Sequence, residues 1–287
     1  MAKRSSRSAA NKSAIKKPSP AKETVAKSPR RKAARPSPAP SKAGLPSGAV
    51  VRKVDQTYEG KKFPFMRPRD AATLILVRVP RSGAAEVLLG CRDAGHAFMP
   101  NRYVFPGGRA DRGDAFVTPA THLRPEVAAR LQKAASATRA RALAVAAIRE
   151  TFEETGLIIG KKSKGSISGE VSEHWRGFLD QGMAPALDTL DFIARAVTPP
   201  NRPRRFNARF FMADVAAVSG GEIKSNGELG DIRWVSLHEA QQLPLPTITG
   251  LVLGEVGRLI QEPPKRSHAR RIPLFRTLHG KHLLMQE

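Results

Sequence analysis

Arg149-Glu150-Thr151-Phe152-Glu153-Glu154-Thr155-Gly156-Leu157 is the stretch on which the reading of this chain turns. Its three carboxylates stand at i, i+3 and i+4. At about 100° per residue on a helix they fall on one face, within an arc of roughly 100°. Like charges at that spacing oppose one another by a few tenths of a kcal/mol per pair, an order-of-magnitude figure. A cation in front of them turns repulsion into binding, and Mg²⁺ takes oxygen ligands of this kind while leaving positions open for phosphate oxygens. Read alone, the stretch is equally the pattern of a solvated acidic helix face.

The residues upstream change that balance. Phe105-Pro106-Gly107-Gly108 is a strand end running into a tight glycine turn, and Gly156 closes the acidic helix as a C-cap. Together these segments resemble the box of the Nudix hydrolase family, G-x5-E-x7-R-E-U-x-E-E-x-G-U, with U a bulky apolar residue. Gly108 matches the opening glycine. Arg149, Glu150, Glu153, Glu154, Gly156 and Leu157 match the second half in register. Asp114 stands where the family has Glu, and Thr151 replaces the first U. An uninterrupted box would put its arginine at position 122 and not 149, so 27 residues are inserted. The resemblance covers roughly residues 70–260. Interrupted boxes also occur in sequences resembling peroxisomal coenzyme A diphosphatases.

The chain has 287 residues and a formal net charge of +24. In residues 1–44, eight lysines and five arginines stand against Glu23 alone, so this seventh of the chain carries +12, half the excess. Residues 1–48 are rich in Lys, Arg, Ala, Ser and Pro and hold little apolar surface to offset the entropy of ordering. They are expected to be a disordered basic tail. Such a tail suits a non-specific, salt-dependent contact with nucleic acid, or simply solubility. It lacks the apolar core of a secretory signal. Cys91 is the only cysteine, so no internal disulfide forms, and its apolar neighbours mark it as core. No apolar run reaches the roughly 18 residues of a membrane span. A cytoplasmic protein with no membrane contact is expected, with the oligomeric state left open.

Ala71–Val79 and Glu86–Arg92 read as strands joined in a hairpin, and Tyr103-Val104-Phe105 as a short strand feeding the glycine turn. Residues 115–141 form the insertion, with a helix from Pro125 and a second from near Thr138 running through the box. That helical hairpin is expected beside the site. Trp175 is expected in the core. Asp191–Val197 and Phe206–Ala213 are further strands, and residues 247–260 a last amphipathic helix. Residues 68–262 thus form the principal domain and 263–287 a basic C-terminal extension.

The resemblance implies an α/β/α sandwich with a mixed sheet, a helical insertion inside the box, and a hydrolase dependent on Mg²⁺ or Mn²⁺. Its substrate would be a nucleoside diphosphate linked to another moiety. Glu150, Glu153 and Glu154, joined by the Gly107 carbonyl, would hold the metal. Glu150 or Glu228, the latter six residues before Trp234, would accept the proton of the attacking water. Arg149 would orient a box carboxylate. Arg92, Arg204 and Arg205 are candidates for phosphate oxygens, because guanidinium geometry suits them; Arg209 is a further candidate. Two alternatives stand beside this reading. One is a coenzyme A or acyl-coenzyme A diphosphatase. The other is a non-catalytic Nudix-fold module that binds nucleotide or nucleic acid.

Overall fold

The computed structural model describes residues 60–81, 83–96, 98–163, 172–263, 270–279 and 281–287. The expected tail, residues 1–48, lies outside them. The described elements in order are β1 (Arg69–Arg78), β2 (Glu86–Arg92), β3 (Tyr103–Val104), β4 (Gly107–Arg109), α1 (Pro125–Gln132), α2 (Ala137–Thr155), β5 (Gly160–Lys162) and α3 (Glu173–Leu179). Then come β6 (Met183–Pro185), β7 (Asp191–Val197), β8 (Phe206–Asp214), β9 (Leu229–Ser236), α4 (Leu237–Ala240), α5 (Thr247–Gln261), β10 (Pro273–Leu278) and β11 (Lys281–Gln286).

One mixed sheet runs β11-β10-β7-β8-β1-β2-β3, with β4 paired to β1 and β9 to β2. β1 is a near-continuous apolar run because it is covered on both faces. Ala72, Leu74 and Leu76 pack with α1, α2 and α3, while Ile75 and Val77 pack with α5. This is the α/β/α sandwich. The β1–β2 pairing is shorter than a full hairpin: its register covers only Val77↔Val87 and Arg78↔Glu86. The long partner of β1 is β8, parallel, from Arg69↔Phe206 to Val77↔Asp214. Among the described residues, no helix is long and apolar enough to cross a membrane.

The acidic helix is α2. Ser136 caps it, accepting from the Arg139 N–H at 3.3 Å. Gly156 ends it at φ +75°, where a Cβ would meet the Glu222 carbonyl oxygen. Residues 142–149 are buried all round, which a run of alanines permits at close approach to both sheet and helices. Thr151, the polar departure from the box, is fully buried yet satisfied: its hydroxyl donates to the Ala147 carbonyl at 2.8 Å.

Two expectations change here. The inserted helical hairpin, α1 with the start of α2, packs into the core against the sheet, and none of residues 115–141 lines the cleft described below. Residues 273–286 are not an appended extension. β10 pairs parallel with β7 and antiparallel with β11, and Leu274 and Leu284 are buried. Arg276, Lys281 and His282, set among the apolar residues of this hairpin, masked its pairing with the sheet edge.

Candidate active site

Arg149 organises the site from beneath. It is 2% exposed, and each of its three guanidinium nitrogens is engaged. Nε donates to Asp114 Oδ1 at 2.8 Å, and Nη2 to Asp114 Oδ2 at 3.1 Å and the Arg109 carbonyl at 2.9 Å. Nη1 donates to Glu153 Oε2 at 2.7 Å and lies 2.9 Å from Glu150 Oε1. Burial pulls the arginine pKa down, but Asp114, Glu150 and Glu153 outweigh that and hold it above its usual value. Arg149 is therefore a positioning residue for two of the three glutamates. Asp114, 1% exposed, spans the distance despite its short side chain, and also accepts from Trp175 Nε1 at 2.9 Å and the Asp111 N–H at 2.7 Å. Trp175 is in the core as expected, with the added task of holding Asp114.

Above this clamp stand the carboxylates. Glu154 is buried and accepts from the Gly107 N–H at 2.7 Å. Glu150 lies against Gly108 so closely that a Cβ there would be 2.6 Å from the Glu150 Cδ. At Gly107 a Cβ would be 2.6 Å from the Ala72 carbonyl oxygen. Both glycines are thus required by close approach. Burial pushes Glu150 up to about 7, against the pull of Arg149 and with the repulsion of Glu153 added. Burial likewise pushes Glu154 up to about 8; the Gly107 N–H opposes this and Glu150 adds to it. Glu153 is the outer member, shared between Arg149 and His174 Nδ1 at 3.2 Å.

These residues line one side of a cleft of about 1230 Å³ at the end of the sheet. Glu228, just before β9, lines it too, and its charge acts on both Glu154 and Arg92. Arg92 is half-buried, with Nη1 3.1 Å from the His96 ring; burial lowers its pKa while Glu154 and Glu228 raise it. Arg204 is exposed along the cleft. Arg205 lines it as well, but donates to the Thr198 carbonyl at 3.2 Å and the Met66 carbonyl at 2.6 Å, which ties its turn to the chain before β1. Arg209 is on the other face, 1% exposed and 3.0 Å from Asp70, and takes no part in the cleft. The alternation of β8 sends it there. His174 and, from the basic C-terminal segment, Arg276 and His282 are also among the residues around the cleft.

Among the described residues, no three His, Cys, Asp or Glu side chains already converge as a metal cage. The donor set nonetheless suits a hard divalent cation. Glu150 and Glu154 are desolvated and repel one another, a conflict that a cation between them would relieve.

No family model matches the chain. It is 26% identical over 180 residues to nudix hydrolase 7 of Caenorhabditis elegans, covering 60% of this chain and 52% of that protein. The chain thus spans about half the length of this curated relative. Among solved structures it is similar to a Nudix hydrolase from Alicyclobacillus acidocaldarius, at 27% identity and a TM-score of 0.50. That match covers 67% of this chain and 91% of the other. The mixed sheet, the buried acidic helix and the glycine turn against it define a Nudix-type α/β/α domain. In sequence and fold the chain is similar to Nudix hydrolases.

Proposed function

We propose that this protein hydrolyses a phosphoanhydride bond in a nucleoside diphosphate linked to another moiety, with Mg²⁺ or Mn²⁺. The observation that carries this reading is the pair Glu150 and Glu154, one turn apart, desolvated, and set against Gly107 and Gly108 in the cleft. Glu150, Glu153 and Glu154, with the Gly107 carbonyl, would hold the metal. When bound, the metal neutralises charge on diphosphate oxygens and acidifies a water. Glu150 or Glu228 takes a proton from the attacking water, since both are carboxylates of the cleft. Arg149 keeps Glu150 and Glu153 in place. Arg92 and Arg204 donate to phosphate oxygens, the geometry to which guanidinium is suited. A cytoplasmic location is part of the same proposal.

The test is phosphate release, after coupled phosphatase, from dinucleotides, nucleotide sugars, nucleoside triphosphates and coenzyme A esters. It is run with each metal, on wild type and Glu153→Gln. Metal-dependent turnover of one class that is lost in the variant is the expected result. A folded, metal-binding protein that turns over none of them would move the reading to a non-catalytic recognition module.

A further inference from the structure

The floor of the cleft follows from strand register. Arg109 of β4 pairs with Ala71 of β1, Ala71 with Ala208 of β8, Ala208 with Ala196 of β7, and Ala196 with Phe275 of β10. Registered partners point their side chains to the same face of a sheet. Three alanines from adjacent strands therefore form one row, which ends against a phenylalanine, and all four residues line the cleft. Their face is the one that α5 covers: Ala196, Ala208 and Phe275 pack against the cluster that holds Ile75, Ile193, Val252 and Val256. The helix stops short of this row, where Ala196, Ala208 and Phe275 are only half-buried.

The row is the bottom of a trough at right angles to the strands. On β8, Phe206 bounds it on one side, edge to face with Phe98 at 5.7 Å between centroids. Phe210, in the α5 cluster with Ile248 packed against it, bounds it on the other. From β1 to β10 the trough crosses three strand spacings, or about 14 Å. Among the described residues, no charged or hydrogen-bonding side chain stands on the row from Ala71 to Phe275. β7 and β8 are interior strands, with neighbours on both sides to take their main-chain groups. A sugar hydroxyl or an amide lying there would lose water and find no partner, whereas an apolar group gains by burial. Open apolar surface of this kind is what a ligand-binding groove presents. The trough begins at Ala71, one strand from the β4 glycines against which Glu150 and Glu154 lie, so it is continuous with the place of the diphosphate.

We propose that the trough formed by Ala71, Ala208, Ala196 and Phe275 binds an apolar chain joined directly to the diphosphate, so that the substrate class is a nucleoside diphosphate ester of an alkyl or prenyl alcohol. The proposal rests on the hydrolase reading above for the place of the diphosphate. Ala208 and Ala196 set the specificity, because a larger side chain at either position fills the space the chain would take. A nucleotide sugar brings hydroxyls to a floor that cannot bond them, and the arm of coenzyme A brings amides, so both are poorer substrates.

The experiment uses the methyl, butyl and octyl esters of adenosine diphosphate, which differ only in chain length, with ADP-glucose beside them. kcat/KM for AMP release is measured with Mg²⁺ or Mn²⁺ for the full-length wild type, Ala208→Leu and Ala196→Leu, with thermal melting to confirm folding. In wild type, kcat/KM should rise by about two- to fourfold per methylene, as burial of each CH₂ predicts, and the octyl ester should be preferred to ADP-glucose. Ala208 is one strand from Ala71 and Ala196 is the next strand on. Ala208→Leu should therefore abolish the gain from methyl to butyl. Ala196→Leu should keep that gain and abolish the one from butyl to octyl. If a leucine variant does not fold, Ala208→Val or Ala196→Val takes its place, with the same order expected. A rate independent of chain length, a preference for ADP-glucose, or a gain that both variants leave intact overturns the trough. If no ester is turned over, the hydrolase reading has failed by itself. Calorimetric binding of the same esters then decides: affinity that rises with chain length and is cut by the variants in that order supports the trough, and equal affinity overturns it.

Discussion

Asp114 is one methylene shorter than the glutamate of the family pattern, and its surroundings are built to that length. Two Arg149 nitrogens, the Trp175 indole N–H and the Asp111 N–H all converge on it in a site 1% exposed. Restoring the family residue by Asp114→Glu should therefore not help. The extra methylene in a full site is expected to destabilise the fold by about 1–3 kcal/mol, read as a lower denaturant midpoint at unchanged slope. A variant as stable as wild type would show that the clasp has slack. The residue types at Arg149, Glu150, Glu153 and Glu154 were legible because a family pattern and a helical period both mark them. Arg205 and Arg209 were not. Their identity as arginine says nothing about whether carbonyls, Asp70 or the cleft receive their N–H groups.

At the scale of one element, α2 carries a cost that only a cation or a proton removes. Glu150 sits near 7 and Glu154 near 8, against an ordinary 4.5. Raised carboxyl pKa values mean that the native state holds protons the unfolded chain has released. Stability is then fully present below about pH 4.5 and is lost as pH rises through 7 to 8. Metal-free protein should melt at progressively lower temperature from pH 5.5 to 8.5. Mg²⁺ or Mn²⁺ should restore most of the loss at the high end and little at the low end, where protons compete. A melting temperature independent of pH in metal-free buffer would refute the buried-carboxylate account. The existence of this helix, its glycine cap and its acidic face were readable from local chemistry. Which two of the three glutamates are desolvated was not, because that depends on how closely Gly107 and Gly108 approach from another strand.

Across the whole molecule, the two ends of the chain should behave differently. Deleting residues 1–44 should leave turnover of a small substrate nearly unchanged, and weaken retention on nucleic acid at low salt. A large loss of turnover would show that the basic segment serves the site. Ending the chain before Ile272 should instead expose the edge of β7 and the apolar partners of Leu274, Phe275 and Leu284. Loss of soluble protein is the expected result, since an open apolar strand edge invites aggregation. A soluble truncated chain with a wild-type melting temperature would contradict the pairing of β10 with β7.

The sequence by itself determined the acidic helix with its carboxylates on one face, the glycine turn and the main strands. Each is a local matter of side-chain period, capping and turn residues. It also carried the resemblance to Nudix hydrolases, because the two halves of the box keep their register on either side of an insertion. Only the tertiary structure decided that β1 pairs in parallel with β8, that the insertion packs into the core and not beside the cleft, and that the basic C-terminus is part of the sheet. The same holds for the clasp of Arg149, Asp114 and Trp175. These rest on contacts between residues 26 to more than 130 positions apart. Such contacts are chosen by burial and packing of the whole chain, for which no local pattern exists.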